Sequence, residues 1–324
     1  MDIIPLDDPT EERIARWQAV LTAVHAADPA GDPPPDAADT AAFLRSGDQR
    51  LWTADENGET IAVAVLRLPG GPGADRPAEI DIRVHPAHRR RGIGTRLMAV
   101  AAEGLRADGR TSVIAQVLAG TPAVPFLESL GFSCVLTLNG MLLRLDDLPP
   151  GRVETLVNAG PSAPPPGPGG TYRLVRWRGA VPDEYADALA HAKHAMADLA
   201  EYEGLPWNAR RVREMAGMVA KRGDDLYTVA AVHGPAVAGF TEVVVPADAP
   251  RRAAQYDTAV VPEHRGRRLG IWVKAAMLQW LAGERPEVRE IETDIDGDNS
   301  HMMAVNEELG YRRLQESREY LGMF

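Results

Sequence analysis

The sequence predicts two consecutive domains of the α/β (α+β) class, each with a sheet flanked by helices. The chain has 324 residues, more than one typical domain of roughly 100 to 200 residues. A stretch rich in proline and glycine, which favours extended backbone, interrupts it near its middle. The elements predicted on either side follow the same order. We therefore expect an N-terminal domain at 1–148, a linker at 149–170 and a C-terminal domain at 171–324.

In the first half, apolar residues at helical spacing predict an amphipathic helix over 9–27. Asn57-Gly58 tolerates positive φ and predicts a hairpin of strands 51–54 and 60–68. A proline-rich patch at 28–35 is expected to be a loop between two helices. The remaining predicted elements are a strand at 79–84, a helix at 94–107, a strand at 112–118, a short helix at 122–130 and a strand at 132–145.

The second half repeats this order, which indicates domain duplication because the period far exceeds that of solenoid repeats. The predicted elements are a strand at 172–177, helices at 182–199 and 209–222, strands at 226–232 and 237–245, a strand ending at Val261, a helix at 269–282, a strand at 289–295 and a helix from Asn299.

Composition narrows the class of protein. With 45% apolar and 25% charged residues the chain is expected to be globular. Its net charge of −11 argues against nucleic acid as a binding partner and favours a cationic small molecule as the ligand. No stretch reaches the roughly 20 apolar residues of a membrane span, and residues 1–8 show no basic region followed by an apolar run, so we expect a cytoplasmic protein. We also expect it to be a monomer or a homodimer.

Metal binding is not expected. The single cysteine, Cys134, lies in an apolar stretch and is interpreted as a small buried hydrophobe. One cysteine excludes an intramolecular disulfide and a clustered-thiolate metal site. His301 has no second histidine at the spacing of metal ligands, so we predict no metal-binding residues.

A basic turn between a strand and a helix is the strongest local signal. It runs from Val84 to Thr95 and contains His-Arg-Arg-Arg-Gly-Ile-Gly. Glycines let backbone N–H groups converge on an anion, a helix N-terminus adds positive potential, and arginines add full charge. A second copy, His264-Arg-Gly-Arg-Arg-Leu-Gly270, follows Val260 in the second half. Two copies in equivalent places predict two phosphate-binding turns.

These turns resemble the pyrophosphate-binding signature of the GNAT superfamily, (Arg/Gln)-x-x-Gly-x-(Gly/Ala). Arg89, Gly92 and Gly94 match it fully, whereas Arg268 replaces the first glycine between Arg265 and Gly270. The segments 126–132 and 299–311 resemble the closing part of GNAT domains. Tandem GNAT enzymes of actinobacterial type, the mycothiol synthases among them, share this layout.

The resemblance implies a mixed, mostly antiparallel sheet in each domain and acetyl-CoA as cosubstrate. It also implies that the backbone at Val84 and Val260 pairs with the pantetheine arm. The implied cofactor-binding residues are Val84, Arg89, Arg91, Gly92, Gly94 and Thr95 in the first half, and Val260, Val261, Arg265, Gly266, Arg267, Arg268, Gly270, Asn299 and Asn306 in the second.

Acetyl transfer needs a base for the amine and a proton donor for the thiolate. Leu127 and Asn306 stand where the superfamily commonly has a tyrosine acid, and Gly120 replaces the counterpart of Asn299. We therefore expect the C-terminal domain to be catalytic and the N-terminal domain to hold CoA without catalysis. Tyr256 or a water molecule is the expected proton donor.

The expected base is one of several carboxylates in the second half. Alternation along 290–296 places four on one strand face. They are Glu290 and Glu292, interpreted as a solvated face, Asp294, a candidate base, and Asp296, a candidate substrate ligand. Asp257 and Glu242 on neighbouring strands are further candidate bases. Glu79 and Asp81 share a face in the first half, where the other catalytic groups are missing.

The acceptor side is expected at the segment between two helices that contains Tyr202 and Trp207, because aromatic rings can stack on a ligand. The sequence thus predicts an acetyl-CoA-dependent N-acetyltransferase that acts on a primary amine of a small cationic metabolite or antibiotic. A non-catalytic CoA-binding module, a protein-lysine acetyltransferase and a mycothiol-precursor acetyltransferase stay open as alternatives.

Overall fold

A computed structural model describes residues 1–28, 35–47, 49–70, 76–166, 170–194, 196 and 206–324. The chain divides into two compact units that do not follow chain order throughout. Unit 1 comprises Met1–Asn139, Asp296–Asp298 and Gln315–Phe324, and unit 2 comprises Gly140–Ile295 and Asn299–Leu314. Boundaries at residues 148 and 170 stay a prediction.

Unit 1 is built mainly from the first half of the chain. Its elements are β1 (Asp2–Pro5), α1 (Glu11–Ala27), α2 (Ala37–Leu44), β2 (Gln49–Glu56), β3 (Glu59–Arg67), β4 (Ala78–Val84), α3 (Ile93–Ala107), β5 (Ser112–Leu118), α4 (Ala123–Ser129), most of β6 (Ser133–Arg144) and most of β12 (Arg312–Met323). Neighbouring strands run in the order β1-β2-β3-β4-β5-β12. All these pairs are antiparallel except β4 with β5.

Unit 2 repeats this arrangement and adds a helix before its first strand. Its elements are α5 (Arg152–Ala159), β7 (Arg173–Arg178), α6 (Asp183–His194), α7 (Ala209–Lys221), β8 (Asp225–His233), β9 (Ala236–Val245), β10 (Arg252–Val260), α8 (Leu269–Glu284), β11 (Glu290–Asp296) and α9 (Ser300–Leu309). The strands run in the order β7-β8-β9-β10-β11, and the end of β6 lies next to β11. Pairs from β7 to β10 are antiparallel, whereas β10 and β11 are parallel.

The parallel pair of each unit opens along its length. β4 and β5 are paired only where Ala78 faces Val113 and Glu79 faces Ile114. β10 and β11 are paired only from Arg252 to Ala254, after which a bulge interrupts β10. Each unit therefore has an opening between two parallel strands. Along this opening, backbone groups of β4 in unit 1 and of β10 in unit 2 are available for hydrogen bonds.

Helices cover both faces of the sheet in unit 2. Phe240 and Ala230 pack against α6, and Tyr227 and Val229 pack against α8. α8 is apolar nearly all round, as expected of a helix covered on its outer side too. α5 supplies that cover, where the Val157 carbonyl accepts a 3.0 Å hydrogen bond from Trp272 Nε1.

Three features differ from the sequence-based expectations. The stretch 149–170 is not extended throughout, because α5 forms where it contains no proline. Strands β1 and β12 were not predicted, since both are mixed in polarity and lack a clean alternation. The expectation that Cys134 is buried is wrong: it is exposed, because it lies on a stretch of β6 with exposed neighbours.

Among the described residues, no helix is both long and apolar enough to span a bilayer. That same part of the chain brings together no group of three or more metal-ligating side chains.

Candidate active site in unit 2

A turn that contains glycine and arginine connects β10 to α8. The chain leaves β10 at Val260, forms a 3-10 turn over Pro262–His264, and takes left-handed backbone at Gly266 (φ 74°) and Arg268 (φ 61°). The first helical hydrogen bond joins Trp272 N–H to the Arg268 carbonyl. The N–H groups of 269–271 therefore have no helical partner and point towards the turn. Such a cluster of donors at a helix start binds phosphate well.

The predicted arginines of this turn contact backbone and a carboxylate. Arg265 Nε donates to the Val260 carbonyl at 3.2 Å, and Arg268 pairs with Glu308 at 2.5 Å. Arg267 donates only to carbonyl oxygens within the described residues, those of Pro164, Glu263 and Arg265, each at 3.0 Å. Carbonyl partners leave the charge of Arg267 uncompensated, so it remains available to an anion.

The corresponding turn of unit 1 has the same backbone but a different charge balance. Its left-handed positions are Arg90 (φ 61°) and Gly92 (φ 76°). Arg89 makes a bidentate pair with Asp28, both bonds 2.7 Å, and Arg91 pairs with Glu56 at 2.9 and 3.0 Å. Carboxylates thus neutralise both predicted arginines of this turn. At the position equivalent to Arg91, Arg267 of unit 2 contacts only carbonyl oxygens within the described residues.

The other predicted cofactor residues differ in accessibility. Val84 and Val260 each offer a carbonyl to the arginine that follows, and Thr95 is exposed in the first turn of α3. Val261 is buried, with its N–H donated to Ala238. A Cβ on Gly94 would lie 3.1 Å from the Phe126 ring, whereas one on Gly270 would have only Val260 nearby, at 3.9 Å. Gly270 is therefore the less crowded of the two.

The two predicted asparagines have internal roles. Asn299 is the N-cap of α9, and its side chain accepts from Met302 N–H at 3.0 Å. Asn306 is fully buried, and its Nδ2 lies 3.9 Å from Met141 Sδ. Its Oδ1 has no protein partner among the described residues. The contacts that the structure gives these two amide side chains are with Met302 and Met141, and none of them is with the turn.

A buried cluster of one ammonium and two carboxylates lies beside the opening between β10 and β11. Lys193 Nζ on α6 lies 2.6 Å from Glu242 Oε2 on β9 and 2.5 Å from Asp257 Oδ2 on β10. The Lys193 and Glu242 side chains are 4% and 7% exposed, whereas that of Asp257 is 18% exposed. We call Lys193, Glu242 and Asp257 the Lys193 centre. Asp257 is its most accessible member.

The bulge in β10 explains how both carboxylates reach the same ammonium. Gln255 pairs with Val243 and Thr258 pairs with Thr241, so Glu242 alone faces both Tyr256 and Asp257. A bulge that sets two residues against one turns their side chains out of the usual alternation. Tyr256 is 40% exposed and its hydroxyl accepts from Arg222 at 3.1 Å.

Aromatic rings enclose the ammonium on its other sides. Lys193 Nζ lies 4.9 Å from the centre of the Trp207 ring and 5.0 Å from that of Phe240. Arg211 stacks on Trp207 at 4.5 Å. The predicted acceptor residue Trp207 is therefore part of the wall of the Lys193 centre. Tyr202, its predicted partner, lies outside the described residues.

Burial and neighbouring charges have opposite effects on the pKa of Lys193 and on that of Glu242. Burial lowers the pKa of Lys193, but Glu242 and Asp257 outweigh it and hold the pKa above its ordinary value. Burial raises the pKa of Glu242, although the Lys193 ammonium acts against this rise. A carboxyl group with a raised pKa beside an ammonium is suited to exchanging a proton with that neighbour.

The carboxylates of β11 fall into separate groups. Glu290 pairs with Arg252 at 2.9 Å and with Arg144 at 3.3 Å, and Glu292 lies 3.8 Å from Arg252. Asp294 is exposed and makes no side-chain hydrogen bond or ion pair in the described structure. Partial burial nonetheless raises its pKa. Asp296 belongs to unit 1 and accepts from Asp298 N–H at 2.9 Å.

Unit 1 lacks such a centre in its described part. Asp81 pairs with Arg83 at 2.7 Å and Glu79 with Arg67 at 3.2 Å, all on the surface. The buried side chains of α1, the helix that corresponds to α6, are apolar: Ile14, Trp17, Val20 and Val24.

Sequence reasoning missed Lys193, the residue that unites two predicted carboxylates. A signal for it is present, because Tyr185, Leu189 and Lys193 recur at spacing four on the buried face of α6. A lysine on an apolar helical stripe needs a buried anionic partner.

Comparisons with known proteins agree with this geometry. The sequence profile of the acetyltransferase (GNAT) family matches residues 17–132 and 192–311. A mycothiol acetyltransferase of Sanguibacter keddieii is 30% identical over 254 residues, which cover 74% of this chain and 73% of that protein. A second, from Tsukamurella paurometabola, is 28% identical over 76% of this chain and 77% of its own.

Two solved structures have folds similar to that of this chain. A tandem GNAT protein from the clavulanic acid biosynthesis pathway is 29% identical, with a TM-score of 0.68, over 99% of this chain and 98% of its own. A GCN5-related N-acetyltransferase from Sphaerobacter thermophilus is 18% identical and shares the fold with a TM-score of 0.68, over 99% of this chain and 95% of its own.

Proposed function

Since the chain belongs to the acetyltransferase (GNAT) family and is an N-acetyltransferase, we propose that unit 2 transfers an acetyl group from acetyl-CoA to a primary amine of a small molecule. One observation carries the proposal. The positive turn and the Lys193 centre both adjoin β10, which separates from β11 beyond Ala254. A thioester between these strands would meet an anion site at one end and a carboxylate beside it.

The residues of unit 2 fit acetyl-CoA. The free N–H groups of 269–271 and the uncompensated charge of Arg267 would hold its phosphates. The unpaired edge of β10 would bind the pantetheine arm through backbone groups. Acetyl-CoA supplies a thioester whose carbonyl carbon accepts the amine.

Asp257 is the proposed base, because it is the most exposed carboxylate of the centre. An alkyl ammonium has a pKa near 10.4 and must lose a proton before it can attack. Asp257 takes that proton and passes it to solvent. The amine nitrogen then bonds to the carbonyl carbon and releases its second proton to water as the carbon–sulfur bond breaks. The thiolate leaves and takes up a proton from water or the Tyr256 hydroxyl.

The acceptor is proposed to be a small cationic metabolite or antibiotic. Asp294, an exposed carboxylate without a side-chain partner in the described structure, supports a site for positive charge. The curated relatives are named mycothiol acetyltransferases, and one structural relative comes from the clavulanic acid pathway. The mycothiol-precursor amine, aminoglycosides and polyamines therefore form the first panel to test.

Turnover with this panel, followed by release of free thiol, tests the proposal. We expect thiol release with at least one amine and a drop of about 10²-fold or more in Asp257→Asn. Asp81→Asn, at the surface of unit 1, is the matched control and should keep the wild-type rate. CoA binding without thiol release from any amine would instead indicate a non-catalytic binding module.

A second pair of variants tests the choice of unit. Gly270→Glu places a negative charge in the turn of unit 2 and should abolish turnover, while Gly94→Glu in unit 1 should leave it measurable. The reverse result would assign the reaction to unit 1. A wild-type rate in Asp257→Asn together with a loss in Asp294→Asn would move the base to β11.

A further inference from the structure

The Lys193 centre contains more charge than the fold requires. Removing an ammonium or a carboxylate from water is strongly unfavourable unless its partners compensate for the lost hydration. The fully buried side chains of the corresponding helix of unit 1, α1, are all apolar. An apolar contact therefore satisfies this layer of the fold, and the charges of unit 2 need another explanation.

Burial alone does not bring carboxylates to a lysine in this protein. Lys274 on α8 is 3% exposed, and its Nζ lies 5.3 Å from the centre of the Tyr311 ring. It has no carboxylate partner in the described structure. The two carboxylates at Lys193 are thus a specific arrangement, which depends on the bulge of β10.

The position of Lys193 between two acids determines what those acids can do. Two carboxylates at one site repel each other, so without a cation the pKa of one of them rises, and burial raises it further. A protonated acid cannot accept a proton from an amine. One ammonium within 2.6 Å of both acids offsets this repulsion and leaves the centre with one net negative charge.

We propose that Lys193 is a positioning residue that keeps Glu242 and Asp257 ionised and directs Asp257 towards the acceptor amine. This inference rests on the proposed function. Lys193 is not itself the acceptor, because its ammonium is bound by both acids and enclosed by the Trp207 and Phe240 rings. Its contribution is charge and orientation, acting through Asp257.

The pH profile of kcat/KM tests the role of this charge. In Lys193→Met the acid limb should move upward by about one pH unit or more, because the acids then share a proton. Lys193→Arg keeps the charge and should keep the limb near its wild-type position, with a lower kcat. Lys274→Met removes another buried lysine of unit 2 and should leave the limb unchanged.

A measurement without turnover separates this inference from the proposed function. Carbon-13 NMR titration of the Asp257 and Glu242 carboxyl groups should show higher titration midpoints in Lys193→Met than in the wild type. Unchanged midpoints and an unchanged acid limb would overturn the inference. Absence of wild-type turnover with every amine would instead refute the proposed function. If Lys193→Met does not fold, Lys193→Gln provides the same comparison.

Discussion

Gly92 and Arg268 occupy the same backbone position at the start of α3 and α8, where both are left-handed, with φ of 76° and 61°. The other left-handed position of each turn holds Arg90 in unit 1 and Gly266 in unit 2, with φ of 61° and 74°. Each turn thus has one glycine and one arginine, in opposite order. The departure of unit 2 from the GNAT signature exchanges two residues and keeps the backbone path.

Gly266→Ala should lower the free energy of unfolding by about 1 kcal/mol, because a Cβ is disfavoured in left-handed backbone. Gly283→Ala is the matched control. Gly283 lies inside α8 with nothing within 4 Å of an added Cβ, so alanine there should raise the unfolding free energy by up to about 1 kcal/mol. Urea unfolding followed by circular dichroism measures both. Equal effects of the two alanines would contradict the backbone assignment.

Lys274→Met should stabilise the protein at pH 7, because Lys274 is a buried cation without a carboxylate partner among the described residues. Burial lowers its pKa from 10.5 to about 7. Its counterpart in unit 1 is Met98, which is buried there. The expected gain is on the order of 3 kcal/mol, since one pKa unit corresponds to about 1.4 kcal/mol and proteins relax around a buried charge.

The pH dependence of this gain has a definite sign. The folded pKa of Lys274 lies below the unfolded value, so the destabilisation that Lys274 causes is absent above pH 10.5 and grows as the pH decreases towards 7. The difference between Lys274→Met and the wild type should therefore be largest near pH 7 and shrink towards pH 10.5. Lys221→Met, at an exposed position, should show no such trend. Parallel stability curves would contradict the prediction.

His264 should make the protein less stable in mild acid. Its Nδ1 lies 2.8 Å from the Tyr172 hydroxyl. Burial lowers the pKa of His264, and the charges of His233 and Arg267 lower it further, whereas the charge of Glu263 raises it. A lowered folded pKa means that stability is fully present above the ordinary value of 6.5 and is lost as the pH falls. Melting temperatures between pH 8 and 5 measure this loss.

His264→Gln removes the titrating group and should flatten that part of the curve. His301→Gln, an exposed histidine at the start of α9, should leave the slope as in the wild type. If His264→Gln keeps the wild-type slope, another group causes the acid sensitivity.

Gly322→Ala should destabilise unit 1 by about 1 to 3 kcal/mol, the usual cost of overpacking a core. A Cβ at this position of β12 would collide with the Phe132 ring. Phe132→Leu in the same chain should recover part of the loss by opening space. Gly217→Ala in α7, where nothing lies within 4 Å, should not destabilise. Equal melting temperatures for Gly322→Ala and the wild type would contradict the close approach.

Local sequence signals were sufficient for most elements. β5 was predicted with its observed bounds, and α3, α8 and α9 begin within one residue of their predicted starts. These segments have strong periodicity and clear start signals, so local chemistry determines them. β1 and β12 lack such periodicity, and they form strands because a neighbouring strand edge pairs with them.

The candidate site shows the same division. The residues of the two turns and the carboxylates Glu242 and Asp257 could be predicted from the sequence, because the chemical roles of glycine, arginine and acidic side chains follow from their residue type. Their partners could not: Asp28 lies 61 residues from the arginine it neutralises, and Lys193 lies 49 and 64 residues from its two acids.

By itself, the sequence determined the duplicated order of elements, the family resemblance and the places of the two turns that contain glycine and arginine, since each depends on residues close together in the chain. Only the tertiary structure decided that Arg91 pairs with a carboxylate while its equivalent Arg267 contacts carbonyl oxygens, and which carboxylates share an ammonium. Charge compensation depends on distances of a few ångströms between residues that are far apart in sequence, and those distances exist only after the sheet and its helices have packed.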